Sequence, residues 1–234
     1  GGEDSVASSS VALEMLQVEC SKVVLGLFSN DSSDYSTKLH VFDSILAKSI
    51  ETSIARYDLF IPIVRKGLEL ITNTAEGEAA DDADDRDLED MWKRILTILS
   101  VLLIPSTTDS IRSYTSNAED ILSITSLCTE KLPSKFTNEL CDVLAHGAES
   151  AAKVARNQSE TSEDVAAPRT NGLKIFHACF GGLCTSQPTG SLLLSLTETL
   201  LREAVDGAAQ TASMKEHNSE DASVDVEVAL YVCE

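Results

Sequence analysis

The chain has 234 residues, 38 acidic against 18 basic, for a formal net charge of −20; 43% of its residues are hydrophobic and only 5% aromatic. That is enough apolar material for a real core in one large domain or two small ones. The acidic excess argues against nucleic acid as a partner, because phosphate binding needs a cationic face, and against direct contact of this segment with an anionic membrane leaflet. Few aromatics and only 11 glycines count against a β-sandwich or barrel.

Apolar residues recur every three or four positions along the chain, the period of a helix. The first such stretch runs from Ser8 to Phe28 through Leu13, Leu16, Val23, Val24 and Leu27, with the Ser8–Ser10 cluster available to cap it. A second helix is predicted from Ser36 to Arg56 and a third from Leu59 to Thr72, where Pro62 falls in the first turn and its missing N–H is not needed. Composition then changes sharply. Between Glu76 and Asp90 there are nine acids and one base, Arg86. Such a run repels itself and has little to bury, which predicts a mobile loop, its last acids entering the first turn of the next helix where the helix dipole favours them. That helix, Asp87 to Ile104, carries Leu88, Met91, Trp92, Ile95, Leu96, Leu99, Leu102 and Leu103, and Pro105 ends it. Trp92, the only tryptophan, is expected in the core, with Lys93 and Arg94 turned to water.

A fifth helix is predicted from Asn117 to Lys131, stopping before Pro133, and a sixth from Ser134 to Val154. A seventh follows at Gly172–Leu183 and an eighth at Leu192–Ala204. Residues Val224 to Cys233 read as a short helix or, by the alternation of Val224, Val226 and Val228, as a strand; the helical context favours helix. Loops are expected over 75–86, 157–171 and 207–222. Most of these helices are too short to be stable alone and must pack in pairs. The expected fold class is therefore all-α: one helical repeat region over 1–234, an α-solenoid of antiparallel helix pairs of HEAT or armadillo-like type with long acidic insertions, in preference to a closed bundle.

The first residue is Gly1, so the chain reads as a fragment of a longer protein. It shows no charged-then-apolar leader. Its longest apolar stretch, Ile95–Ile104, is interrupted by Thr97 and Ser100, short of the roughly 18 residues a membrane span requires. The six cysteines, Cys20, Cys128, Cys141, Cys179, Cys184 and Cys233, form no CxxC pair and sit mostly on apolar stripes, as reduced thiols in a cytoplasmic protein do. The sequons at Asn30 and Asn157 read as ordinary polar loop residues.

Chemistry-bearing residues are sparse. His177, Cys179 and Cys184 offer three zinc ligands but lack a fourth donor and a recognised spacing, so Ile175, Phe176, Cys179, Phe180 and Leu183 read as a buried helix face with His177 at its edge. His40, His146 and His217 have no evident carboxylate or nucleophile partner, and Cys141 and His146, five residues apart on one helix, diverge. Gly181-Gly182-Leu183-Cys184-Thr185 lacks the lysine of a phosphate-cradling loop, and Asp81, Asp82, Asp84 and Asp85 lack the turn glycine of a calcium loop. No catalytic, cofactor-binding or metal residue is assigned, and none is expected.

Four patches carry a resemblance. They are Tyr57-Asp58-Leu59-Phe60-Ile61-Pro62 leading into a helix; Asp90-Met91-Trp92 followed by Ile95 to Pro105; Lys131-Leu132-Pro133 with Phe136, Leu140 and Val143-Leu144-Ala145-His146-Gly147; and Phe176-His177-Ala178-Cys179-Phe180 with Leu183. In this order, over residues 40–234, they resemble the C-terminal region of the monensin-sensitivity scaffold family, large relatives of the Golgi Arf guanine-nucleotide exchange factors that lack the catalytic exchange domain. The resemblance implies a cytoplasmic scaffold, peripheral on Golgi and endosomal membranes, acting in vesicle-mediated protein transport. Its partners would be Arf-like small GTPases and other trafficking proteins, and it has no catalytic residues to carry over. The acidic charge implies that this segment projects away from the membrane. Read from the residues alone, a helical-repeat scaffold of nuclear transport or phosphatase regulation, or a helical enzyme with an unrecognised site, stays open.

Overall fold

The computed structural model describes residues 85–105, 108–157, 166–186, 188–213 and 221–233, with isolated positions and short runs between 19 and 68. Every regular element among them is helical: α1 Asp85–Leu103, α2 Thr108–Ser116, α3 Ala118–Lys131, a 3-10 turn Ser134–Phe136, α4 Thr137–Asn157, α5 Ala166–Thr185, α6 Gly190–Ser213 and α7 Asp221–Cys233. None of the described helices is long and apolar enough to cross a membrane. The chain divides into two compact units, Gly1–Ile95 and Leu96–Glu234, with the boundary inside α1.

In the first unit the helices expected over Ser8–Phe28, Ser36–Arg56 and Leu59–Thr72 lie largely outside the described residues; the described positions 22–23, 25–27, 37–38, 40–41, 61–62 and 64–68 have helical backbone. Tyr57, Ile61, Val64 and Leu68 are buried, as are Met91, Trp92 and Ile95 on α1. The acidic loop expected over 75–86 is likewise outside the described residues except for Asp85 and Arg86, which already belong to α1. An acid at the start of a helix meets the positive end of its dipole, so the helix begins two residues earlier than its apolar stripe requires. Lys93 faces water and pairs with Glu89 at 2.7 Å. Arg94, expected beside it in water, is half-buried. It falls three residues after the fully buried Met91, on the same side of the helix.

In the second unit, α2 was not legible: its sequence is mostly Ser, Thr and charged residues, and its one large buried side chain is Tyr114. Asn117 separates α2 from α3 and donates its side-chain amide at 2.7 Å to the Ser113 carbonyl, an acceptor of the α2 C-terminus that its backbone N–H also reaches at 3.1 Å. Asn171, from α5, donates to the Thr115 carbonyl at 2.9 Å and satisfies another. α3 carries Glu119 and Asp120 in its first turn and Lys131 in its last, in line with its dipole. Leu132 is extended because it precedes Pro133, and the chain re-enters helix through the 3-10 turn.

Two loop boundaries move. The linker expected over 157–171 ends at Ala166, where α5 starts with Pro168 in its first turn, a place where no N–H is required. The loop expected over 207–222 is shortened from both sides, because α6 runs on through the alanine-rich Gly207–Ser213 and α7 starts at Asp221. The Val224–Cys233 segment is helical, as expected. The core of this unit is built on α4 and α5, the most closely packed pair. Ala148, Ala151, Ala152 and Ala155 on α4 present so little side chain that α5 approaches its backbone: a Cβ placed on Gly172 would lie 3.2 Å from the Ala155 backbone nitrogen.

Candidate functional site

Three features of the Leu96–Glu234 unit bring polar or aromatic groups together. One is a ring cluster where α5 meets α7. Phe176 and Phe180, four residues apart on α5, stack at 5.8 Å, and Tyr231 of α7 meets them edge-on at 5.8 and 5.9 Å. Tyr231 also stacks on His177 at 4.1 Å between centroids and donates its hydroxyl to the His177 carbonyl at 3.3 Å. Gly181 leaves room for this contact: a Cβ there would sit 3.3 Å from the Tyr231 oxygen. His177 Nε2 is 3.9 Å from Glu227, beyond hydrogen-bond reach.

The second feature is an ion cluster joining α4, α6 and α7. Arg156 donates from Nε to Asp225 at 2.5 Å and from Nη1 to Glu203 at 2.7 Å. Lys153 bonds Glu149 at 2.5 Å and lies 3.5 Å from Glu203. The hydrogen bond to Glu149 holds the Lys153 ammonium above its ordinary pKa, and the charge of Glu203 adds to that. Asp225 is only 6% exposed, so its charge is tolerated because Arg156 reaches it.

Third, a groove of about 210 Å³ is lined by Thr129, Leu132, Thr137, Leu140, Thr185 and Ser186. Each of its hydroxyls already donates its proton to a helix or turn carbonyl: Thr129 to Thr125, Thr137 to Ser134, and both Thr185 and Ser186 to Gly182. What remains is a set of acceptor lone pairs. Its lining contains no general base to activate a hydroxyl, so its chemistry is polar contact rather than nucleophilic attack.

The residues weighed from sequence fall as follows. Ile175, Phe176, Cys179, Phe180 and Leu183 are buried with His177 at their edge. Cys179 is enclosed, its thiol pushed up to about 12 by burial, whereas Cys184 is exposed, so the two do not converge with His177. Among the described residues no three His, Cys, Asp or Glu side chains converge where a metal ion could be held. Cys141 is buried and His146 exposed, its Nδ1 2.7 Å from the Asp142 carbonyl, so these two diverge as their spacing implies. His40 is exposed; His217 and Cys20 lie outside the described residues. Gly181 and Gly182 belong to helix α5, where they admit Tyr231 on one side and Thr129 with Leu144 on the other. They serve packing and form no loop.

Arg156 and Tyr231 were not singled out by sequence. The available signal was Asp225, a charge that helical register places on the same side of α7 as Val228 and that therefore demands a distant cation. Compared with protein-family models, curated proteins and solved structures, the chain matches none.

Proposed function

We propose that this chain is a non-catalytic helical-repeat scaffold of HEAT or armadillo type that holds other proteins together in Golgi and endosomal vesicle trafficking. The observation that supports the repeat architecture best is the packing order in the Leu96–Glu234 unit. Consecutive helices pair as α2 with α3, α4 with α5 and α6 with α7. Helices two apart also touch, α3 with α5 and α4 with α6, and so do helices three apart, α2 with α5 and α4 with α7. The Tyr231 ring extends this to α5 with α7. Pairs that stack like on like are how a two-layer solenoid is built, each pair burying the apolar stripe its neighbour leaves.

Such a stack works by rigid presentation. Ion pairs and close small-residue contacts fix the helices, and their outer faces are left to other proteins. The groove hydroxyls and the ring cluster serve packing in this reading. Assignment to trafficking rests on the four patches resembling monensin-sensitivity scaffolds, which point to Arf-like GTPases and vesicle-transport factors as partners. The test is affinity capture of the tagged chain from cells with quantitative mass spectrometry, beside imaging against a Golgi marker. Enrichment of Arf-like GTPases and co-localisation is expected. Recovery of nuclear transport receptors or phosphatase subunits in their place refutes the trafficking assignment.

A further inference from the structure

We infer that the outward face of α7 is a docking site for a basic amphipathic helix of another protein. This rests on the scaffold reading, to which it adds the site and the chemistry of the partner. α7 packs on α6 and α4, with Val224 and Val228 fully buried and Asp225 held by Arg156. A helix packed on one side ordinarily turns polar residues to the other. Here Val226, Leu230 and Cys233, at positions i, i+4 and i+7, share one arc opposite Val224 and Val228. Val226 is 54% and Leu230 62% exposed, and Cys233 is exposed as well. A single exposed leucine needs no explanation, whereas an apolar line in register over about two turns does.

Charge selects the occupant. The charged residues of α7 are Asp221, Asp225 and Glu227, all acidic. Asp225 is engaged by Arg156, while Glu227 is exposed beside the apolar line. The complement is a helix with aliphatic residues at i and i+4 flanked by lysine or arginine. A second copy fits poorly: two α7 faces in contact bring like carboxylates together between molecules that each carry a net charge of −20.

The test uses the full chain and two labelled synthetic peptides of about five helical turns. Both carry leucine along one face; one is flanked by lysine and the other by glutamate, and binding is read by fluorescence anisotropy. The lysine peptide is expected to bind, more weakly as salt is raised. Leu230→Asp is expected to weaken it at least about tenfold with unchanged circular dichroism. Leu194→Asp, at an exposed position on α6, leaves it unaltered. No binding of the lysine peptide, equal binding of the glutamate peptide, or indifference to Leu230→Asp overturns the site. So does self-association of the chain abolished by Leu230→Asp, because the occupant is then a second copy. If the unaltered chain captures trafficking proteins from cells but does not bind the lysine peptide, the docking site falls and the scaffold reading stands. If the peptides behave as expected while trafficking proteins are not captured, the pathway falls and the site stands.

Discussion

Replacing Arg156 with leucine tests what holds α7 to the rest of its unit. Arg156 reaches Asp225 at 2.5 Å and Glu203 at 2.7 Å, so it joins α4 to α6 and α7. Leucine retains the apolar bulk of the stem and deletes the guanidinium. Glu203 keeps partial compensation from Lys153 at 3.5 Å and is itself partly exposed. Asp225, 6% exposed, loses its cation where water cannot replace it. Removing one partner of a buried pair ordinarily destabilises by about 3–5 kcal/mol, a large share of the roughly 5–15 kcal/mol that holds a domain together. The expected result is a urea unfolding midpoint, followed by far-UV circular dichroism, lowered to match. The double variant Arg156→Leu with Asp225→Leu removes the stranded charge as well and is expected to recover most of that loss. A loss below about 1 kcal/mol for Arg156→Leu, or a double variant worse than the single one, refutes the claim that the guanidinium neutralises a buried carboxylate.

Gly172→Ala places a Cβ 3.2 Å from the Ala155 backbone nitrogen and 3.3 Å from its Cα, atoms that cannot swing aside. It is expected to lower the thermal midpoint by an amount equivalent to about 1–3 kcal/mol, whereas Gly190→Ala, with nothing within 4 Å, is neutral or mildly stabilising. Maleimide labelling with peptide mapping at neutral pH is expected to modify Cys184 and Cys233 first and to reach Cys128 and Cys179 only on unfolding, since burial pushes both of those thiols up to about 12. Because the folded state holds these two protons more tightly than the unfolded chain, their contribution to stability is complete below about pH 9. It is lost as pH rises towards 12, so the urea midpoint falls across that window. Trp92, 4% exposed, is expected to emit to the blue and resist acrylamide quenching until the protein unfolds; emission typical of a solvated indole would contradict its burial.

Helices carrying a broad aliphatic stripe were legible because the stripe is what folds them. The expected Asp87–Ile104, Asn117–Lys131 and Ser134–Val154 segments lie within three residues of α1, α3 and the 3-10 turn with α4. α2 was not, because a nine-residue segment rich in Ser and Thr is not helical by propensity. It is held by the burial of Tyr114 and by Asn171 capping from α5. Helix ends misread as linkers share a cause: alanine carries little hydrophobic signal yet has the highest helix propensity, so Ala166–Ala167 and Ala208–Ala209 extend helices beyond their apolar stripes.

The same reasoning explains why the polar contacts stayed hidden and where the docking face comes from. In Val224-Asp225-Val226-Glu227-Val228 the alternation is that of a half-buried strand, with three valines on one side and two acids on the other. Coiled into a helix, the segment divides differently: Val224 and Val228 stay inside, Asp225 joins them, and Val226 turns outward. That arrangement strands a carboxylate, and it is tolerated only because Arg156 lies within reach from 69 residues earlier in the chain. A separation of that length leaves no local trace. The ring contacts of Tyr231 with Phe176, His177 and Phe180 add to the same choice. Tertiary contact thus selects helix over strand, and by selecting it places Val226 on the surface beside Leu230, where another protein's helix can cover both.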